Sequence, residues 1–215
     1  MIFQKVLKGI IGISQPQARA MLIGGGITCN WWRKVNLLPA NEIPVRLTQD
    51  NLLRHLSAYD QPDPITGSAT FGEMTPFIST TAGAVERDPA NAQNWQFSAF
   101  LTALAFATDS FRQQGAIFYG YVNVLGKKSV VMDEFAEETR ELNIWTEFQP
   151  YHPEGEIVAK IQIPSPHLEK VEGYDGPSAR ARLNAHKLPV PLWIEQNTSH
   201  YVPPEELSNV REVLL

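Results

Sequence analysis

Hydrophobic and polar positions alternate most clearly over residues 157–163, Ile-Val-Ala-Lys-Ile-Gln-Ile, where a period of two predicts a strand. Residues 117–124 are aromatic and β-branched and predict a second strand. A third, over 75–81, ends in the hydroxyls Ser79, Thr80 and Thr81, and a short fourth over 43–47 carries Arg46 between Val45 and Leu47. Residues 92–111 are alanine-rich, with Phe97, Leu101, Leu104, Ala105 and Thr108 at helical spacing, which predicts a core-facing helix. The acidic run 133–141 reads as a solvated helix face. Strand, strand, helix, strand, acidic segment and strand make an α+β chain with mostly short strands.

Organisation follows from the same pattern. Residues 41–174 form the expected main domain, 1–40 an N-terminal extension packing on it, and 175–215 a loop-rich C-terminal extension with Arg180, Arg182 and Lys187. Gly24-Gly25-Gly26 reads as a turn, and the tryptophans as core. With 43% hydrophobic and 19% charged residues, the composition is globular. A net charge of −5 gives no whole-protein attraction to nucleic acid. The single cysteine, Cys29, excludes an internal disulfide and reads as a small buried apolar residue. Five histidines lack paired ligand spacing, so no metal is expected. The apolar run after Lys8 is shorter than the roughly 7–15 residues of a signal peptide. No stretch approaches the roughly 20 residues of a spanning helix. A cytoplasmic chain without a membrane partner is the expectation.

Chemistry concentrates at Glu154-Gly155-Glu156, at the mouth of the 157–163 strand. Carboxylates two residues apart on a strand point to one side, and their repulsion lets one titrate high while the other stays ionised. A proline-bracketed aromatic loop, Phe148-Gln149-Pro150-Tyr151-His152-Pro153, runs directly into them. Arg46, in its apolar setting, is costly to bury without an anion or a carboxylate partner.

Arg46, then Ser79-Thr80-Thr81, then Glu154-Gly155-Glu156, in that order, resemble the arginine, Ser-Thr-Ser, Glu-x-Glu class of ADP-ribosyltransferase toxins, with its cholera-toxin-like and C3-like core. The intervening helix and aromatic strand resemble that class too, and the likeness covers roughly residues 42–174. The third hydroxyl departs from it, being threonine. The resemblance implies a split NAD-binding β-sandwich core of two small sheets flanked by helices. It implies that Arg46 holds a phosphate of NAD, the co-substrate, with Arg54 as the alternative arginine. Ser79 would bond near the nicotinamide ribose, with Thr80 and Thr81 shaping that strand. Glu156 would be the catalytic glutamate that stabilises the oxocarbenium ion, and Glu154 would position the acceptor. Tyr151 and Phe148 would touch the target.

The implied activity is mono-ADP-ribosyl transfer to a macromolecule, protein, RNA or DNA, by a toxin or effector. A toxin–antitoxin or phage-defence setting fits the size, with a neutralising antitoxin or immunity protein as partner. An NAD glycohydrolase on the same core and a catalytically silent binding module are the alternatives.

Overall fold

The computed structural model describes residues 2–35, 41–82, 92–124, 137–138, 156–207 and 212–214. Its N-terminal part runs β1 (Ile2–Ile11), α1 (Gln15–Ala20), β2 (Ile27–Thr28), α2 (Asn30–Val35), α3 (Ile43–Arg46), α4 (Gln49–Ser57) and α5 (Phe71–Met74). Next come β3 (Phe77–Thr81), α6 (Ala92–Ala107), β4 (Gln114–Val124), β5 (Glu137–Glu138), β6 (Glu156–Lys160) and β7 (Gln162–Ile163). The chain closes with β8 (Leu168–Asp175), α7 (Gly176–Asn184), β9 (Trp193–Gln196) and β10 (Glu212–Leu214). This is a mixed α/β fold: one large, mostly antiparallel sheet and a smaller two-stranded one, flanked by helices.

The large sheet is ordered β5-β6-β3-β1-β4-β8-β9, with β10 also on β1. One edge of β1 pairs with β4 along its whole length, from Ile2↔Val124 to Ile11↔Gly115. The other edge is divided. β10 takes Ile2 to Gln4 in parallel, and β3 meets the strand at one position, Leu7↔Thr81. The sheet is therefore closely joined on one side of β1 and barely joined on the other.

Three apolar clusters hold these elements. Val6, Leu22, Trp31, Ile78, Phe118 and Ile157 belong to the largest. Ala103, Leu104, Ala107, Ile117 and Tyr174 seat α6 on the sheet. That seating needs bare backbone: a Cβ on Gly115 would lie 1.7 Å from the Ala107 carbonyl oxygen, and one on Gly9 2.3 Å from that of Ala103. Leu47, Leu52, Leu56, Phe77 and Val158 fix α4 against β3 and β6. Each such side chain, fully buried, contributes about 1.5–3 kcal/mol.

Two expectations are corrected here. The segment 43–47 is not a strand; Ile43–Arg46 is a short helix with Pro44 in its first turn, where the missing N–H costs no hydrogen bond. Within the expected N-terminal extension, β1 is an interior strand of the large sheet, between β3 and β4. Within the expected C-terminal extension, β9 pairs with β8 and β10 with β1. The single strand expected over 157–163 is interrupted at Ile161, whose φ of 62° ends β6 and turns the chain into the small sheet. Among the described residues no helix is long and apolar enough to cross a membrane.

Candidate active site

A cleft of about 680 Å³ lies where β1 and β3 meet at their one shared position. Lys8 and Gly9 of β1, the hydroxyl strand β3 and Glu156 line it from the sheet. His55, Tyr59, Asn30 and Arg33 line it from the helical side.

His55 is placed by α4. Thr48 caps that helix by accepting the Asn51 N–H at 3.2 Å, and the buried residues Asn51, Leu52, His55 and Leu56 follow helical spacing. His55 Nδ1 lies 2.9 Å from Thr75 Oγ1, and Nε2 lies 2.8 Å from Ser79 Oγ. Burial, reinforced by the Lys8 charge, lowers its pKa to about 3. The ring is thus neutral at ordinary pH, with one nitrogen donating and the other accepting, and it fixes the Ser79 hydroxyl.

Strand alternation puts Phe77, Ser79 and Thr81 on one face, opposite Lys160, Val158 and Glu156 of β6. Thr81 and Glu156 are direct cross-strand partners. Thr80 points to the other face, where its hydroxyl donates to the Ile157 carbonyl at 2.6 Å and is committed to the strand pairing. Glu156 opens β6 and is 7% exposed. Lys8 faces it electrostatically. Burial lowers the Lys8 pKa to about 8, against the opposing pull of the Glu156 carboxylate, and Arg33 lowers it further.

Arg46 is not in this cleft. Its guanidinium is 1% exposed, donates to Asp63 Oδ1 at 3.3 Å and to the Met74 carbonyl at 3.1 Å, and lies 4.9 Å from the Trp31 ring centroid. Glu42 adds a contact at 3.4 Å. The anionic partner of its buried guanidinium is Asp63 of this chain, where the resemblance implied a phosphate of NAD. Arg54, the alternative, is exposed on α4 and does not line the cleft. Glu154, Tyr151 and Phe148 lie outside the described residues.

The site thus brings together Ser79, Thr81 and Glu156. Local sequence patterns missed Lys8, His55, Asn30, Arg33 and Tyr59. The signal available for His55 was its place in the apolar repeat of α4. Among the described residues no group of three His, Cys, Asp or Glu side chains could hold a metal.

Two histidines, the buried His55 and the half-buried His167, carry a stability consequence. Burial lowers His167, stacked on Tyr121 with ring centroids 4.4 Å apart, to about 4, as it lowers His55 to about 3. The unfolded chain binds these protons near pH 6.5 and the folded chain does not, so stability is complete above about 6.5 and lost as pH falls toward those values. Thermal melts between pH 7.5 and 5 are expected to show the midpoint falling below about pH 6.5, before most carboxylates protonate. A flat midpoint over that range contradicts the lowered pKa of both rings.

No protein-family model and no curated protein matches the sequence. Solved structures similar to the chain include EcPltA, with a TM-score of 0.48 and 13% identity over 98% of this chain and 93% of that one. Another is an arginine-to-lysine mutant of heat-labile enterotoxin described as having a highly flexible active-site loop in its A subunit. Its TM-score is 0.40, with 11% identity over 98% of this chain and 82% of that one.

Proposed function

We propose that the chain is an NAD-dependent mono-ADP-ribosyltransferase of toxin or effector type, moving ADP-ribose from NAD to an intracellular macromolecule and releasing nicotinamide. The observation that carries this reading is the gathering of Ser79, Thr81 and Glu156 in one cleft with two cations, Lys8 and Arg33. Its volume of about 680 Å³ falls within the range of small-molecule sites. The residues present suit NAD: cations for its pyrophosphate, a held hydroxyl for its ribose and a carboxylate for the charge that develops.

Glu156 accepts a hydrogen bond from the ribose 2′-hydroxyl and faces the anomeric carbon. The bond from that carbon to the nicotinamide nitrogen breaks, and nicotinamide leaves with the electron pair. The fixed carboxylate stabilises an oxocarbenium ion that exists only near the transition state. His55 keeps Ser79 oriented toward the same ribose. The acceptor nucleophile then adds to the anomeric carbon, with Glu154 taking its proton and Tyr151 and Phe148 contacting the acceptor. Lys8, not Arg46, supplies the phosphate charge on the sheet side. It acts as a point charge where the resemblance implies a bidentate guanidinium. A neutralising antitoxin or immunity protein in the cytoplasm belongs to the same proposal.

Lys8 makes this reading sensitive to pH. A lysine with a pKa near 8 is charged below that value and neutral above it, so the KM for NAD is expected to rise as pH passes about 8. Lys8→Arg is expected to abolish that rise, because a guanidinium stays protonated. Steady-state KM between pH 6.5 and 9.5 for both forms checks this; identical profiles count against a phosphate role for Lys8.

The test of transfer is incubation of the purified protein with adenine-labelled NAD and a whole-cell lysate, beside Glu156→Gln. Label that enters macromolecules with the wild type alone supports transfer, and its sensitivity to protease or nuclease names the acceptor class. Loss of NAD with no labelled macromolecule identifies a glycohydrolase instead. No loss with either form leaves a binding module.

A further inference from the structure

Tyr59 is an exposed aromatic ring with contacts on several sides. It follows α4 on the lip of the cleft and is 44% exposed. Its hydroxyl accepts a hydrogen bond from Asn30 Nδ2 at 3.1 Å, and the same amide donates to the Gly72 carbonyl at 2.6 Å. Its ring meets His55 edge to face, with centroids 5.7 Å apart and planes at 66°. It also lies directly on Gly72, where a Cβ would come within 2.2 Å of the ring carbon Cε1, so any larger residue would displace the ring. The Gly72 N–H closes the arrangement by donating to the Tyr59 carbonyl at 2.7 Å. Three segments, α2, the turn after α4 and α5, therefore interlock around one side chain.

Fold stability alone does not call for this. Restraining a side chain costs entropy, and a ring that still exposes almost half its surface recovers only part of that cost through burial. What the restraint provides is an aromatic face of fixed direction at the mouth of a cleft already lined with cations, hydroxyls and a carboxylate. Aromatic faces of this kind receive flat heterocycles. We infer that Tyr59 is the stacking platform for a base of the dinucleotide bound in this cleft. The inference rests on the NAD reading and adds to it the residue that holds a ring. Both bases of NAD have the required chemistry.

Steady-state cleavage of NAD by wild type, Tyr59→Leu and Tyr59→Phe tests it, with melting temperatures to confirm that the variants fold. Tyr59→Leu is expected to raise the KM for NAD about ten-fold, the scale of losing one base–aromatic stack, while kcat stays close to wild type. Tyr59→Phe keeps the ring and is expected to keep most of the affinity. Inhibition by free nicotinamide and by adenosine monophosphate is measured on the same variants. The inhibitor weakened by Tyr59→Leu names the base. An unchanged KM in Tyr59→Leu overturns the platform. So does a fall in kcat alone, which would mean that Tyr59 only steadies His55. Equal damage by leucine and phenylalanine overturns it as well, because the Asn30 bond and not the ring would then be responsible. A wild-type protein that neither binds nor cleaves NAD defeats the underlying reading first, before any substitution is compared, and the platform with it.

Discussion

Glu156→Gln is expected to lower the rate of nicotinamide release at least about a hundredfold while leaving the fold intact. The size follows from removing one preorganised group aimed at transition-state charge, which costs on the order of 3–4 kcal/mol. Glutamine keeps the shape and can still hydrogen-bond, but it presents no negative charge to the cationic sugar. The position leaves little room for compensation. Glu156 sits at the start of β6, in register with Thr81 of β3, and is almost fully buried. The variant should bind NAD nearly as well as wild type, so the loss should fall on kcat. Losing this carboxylate also removes the attraction that raises the Lys8 pKa. Nucleotide binding by the variant is therefore expected to weaken at a lower pH than in wild type.

Arg46→Ala is expected to destabilise the protein by about 3–5 kcal/mol, the cost of leaving the second charge of a buried pair alone. Asp63, its partner, is as buried as Arg46 itself, and the Met74 carbonyl would lose its donor too. At this chain length each kcal/mol lowers the melting midpoint by roughly 2–4 °C, so a drop of about 10 °C is expected by calorimetry. The KM for NAD, measured where the variant is still folded, should not move. The opposite pattern, a raised KM with an unchanged midpoint, would return Arg46 to phosphate binding and displace Lys8 from it.

The regular elements were legible wherever one pattern persisted long enough. The helix over Ala92–Ala107, the strand Gln114–Val124 and the hydroxyl strand Phe77–Thr81 all carry runs that admit one interpretation. Ile43–Arg46 did not, because three apolar residues around a proline suit a strand as well as a helix turn, and the Arg46–Asp63 ion pair joins residues 17 positions apart. β1 is hard to read for a different reason. Lysines at 5 and 8 break its apolar run, and only the partner strands reveal that Lys8 faces a cleft. His55 illustrates the remaining limit. Its helix could be read locally, but its bond to Ser79 joins residues 24 positions apart, and no local spacing encodes that contact.

On the proposed reading this cleft cleaves the nicotinamide–ribose bond of NAD with Glu156. The most direct test of that reading is nicotinamide release from nicotinamide-labelled NAD, with and without a whole-cell lysate, by wild type and Glu156→Gln side by side. Release by the wild type, increased by lysate and at least about a hundredfold slower in the variant, is the predicted result. Equal rates for the two proteins, or no release by either, would contradict it.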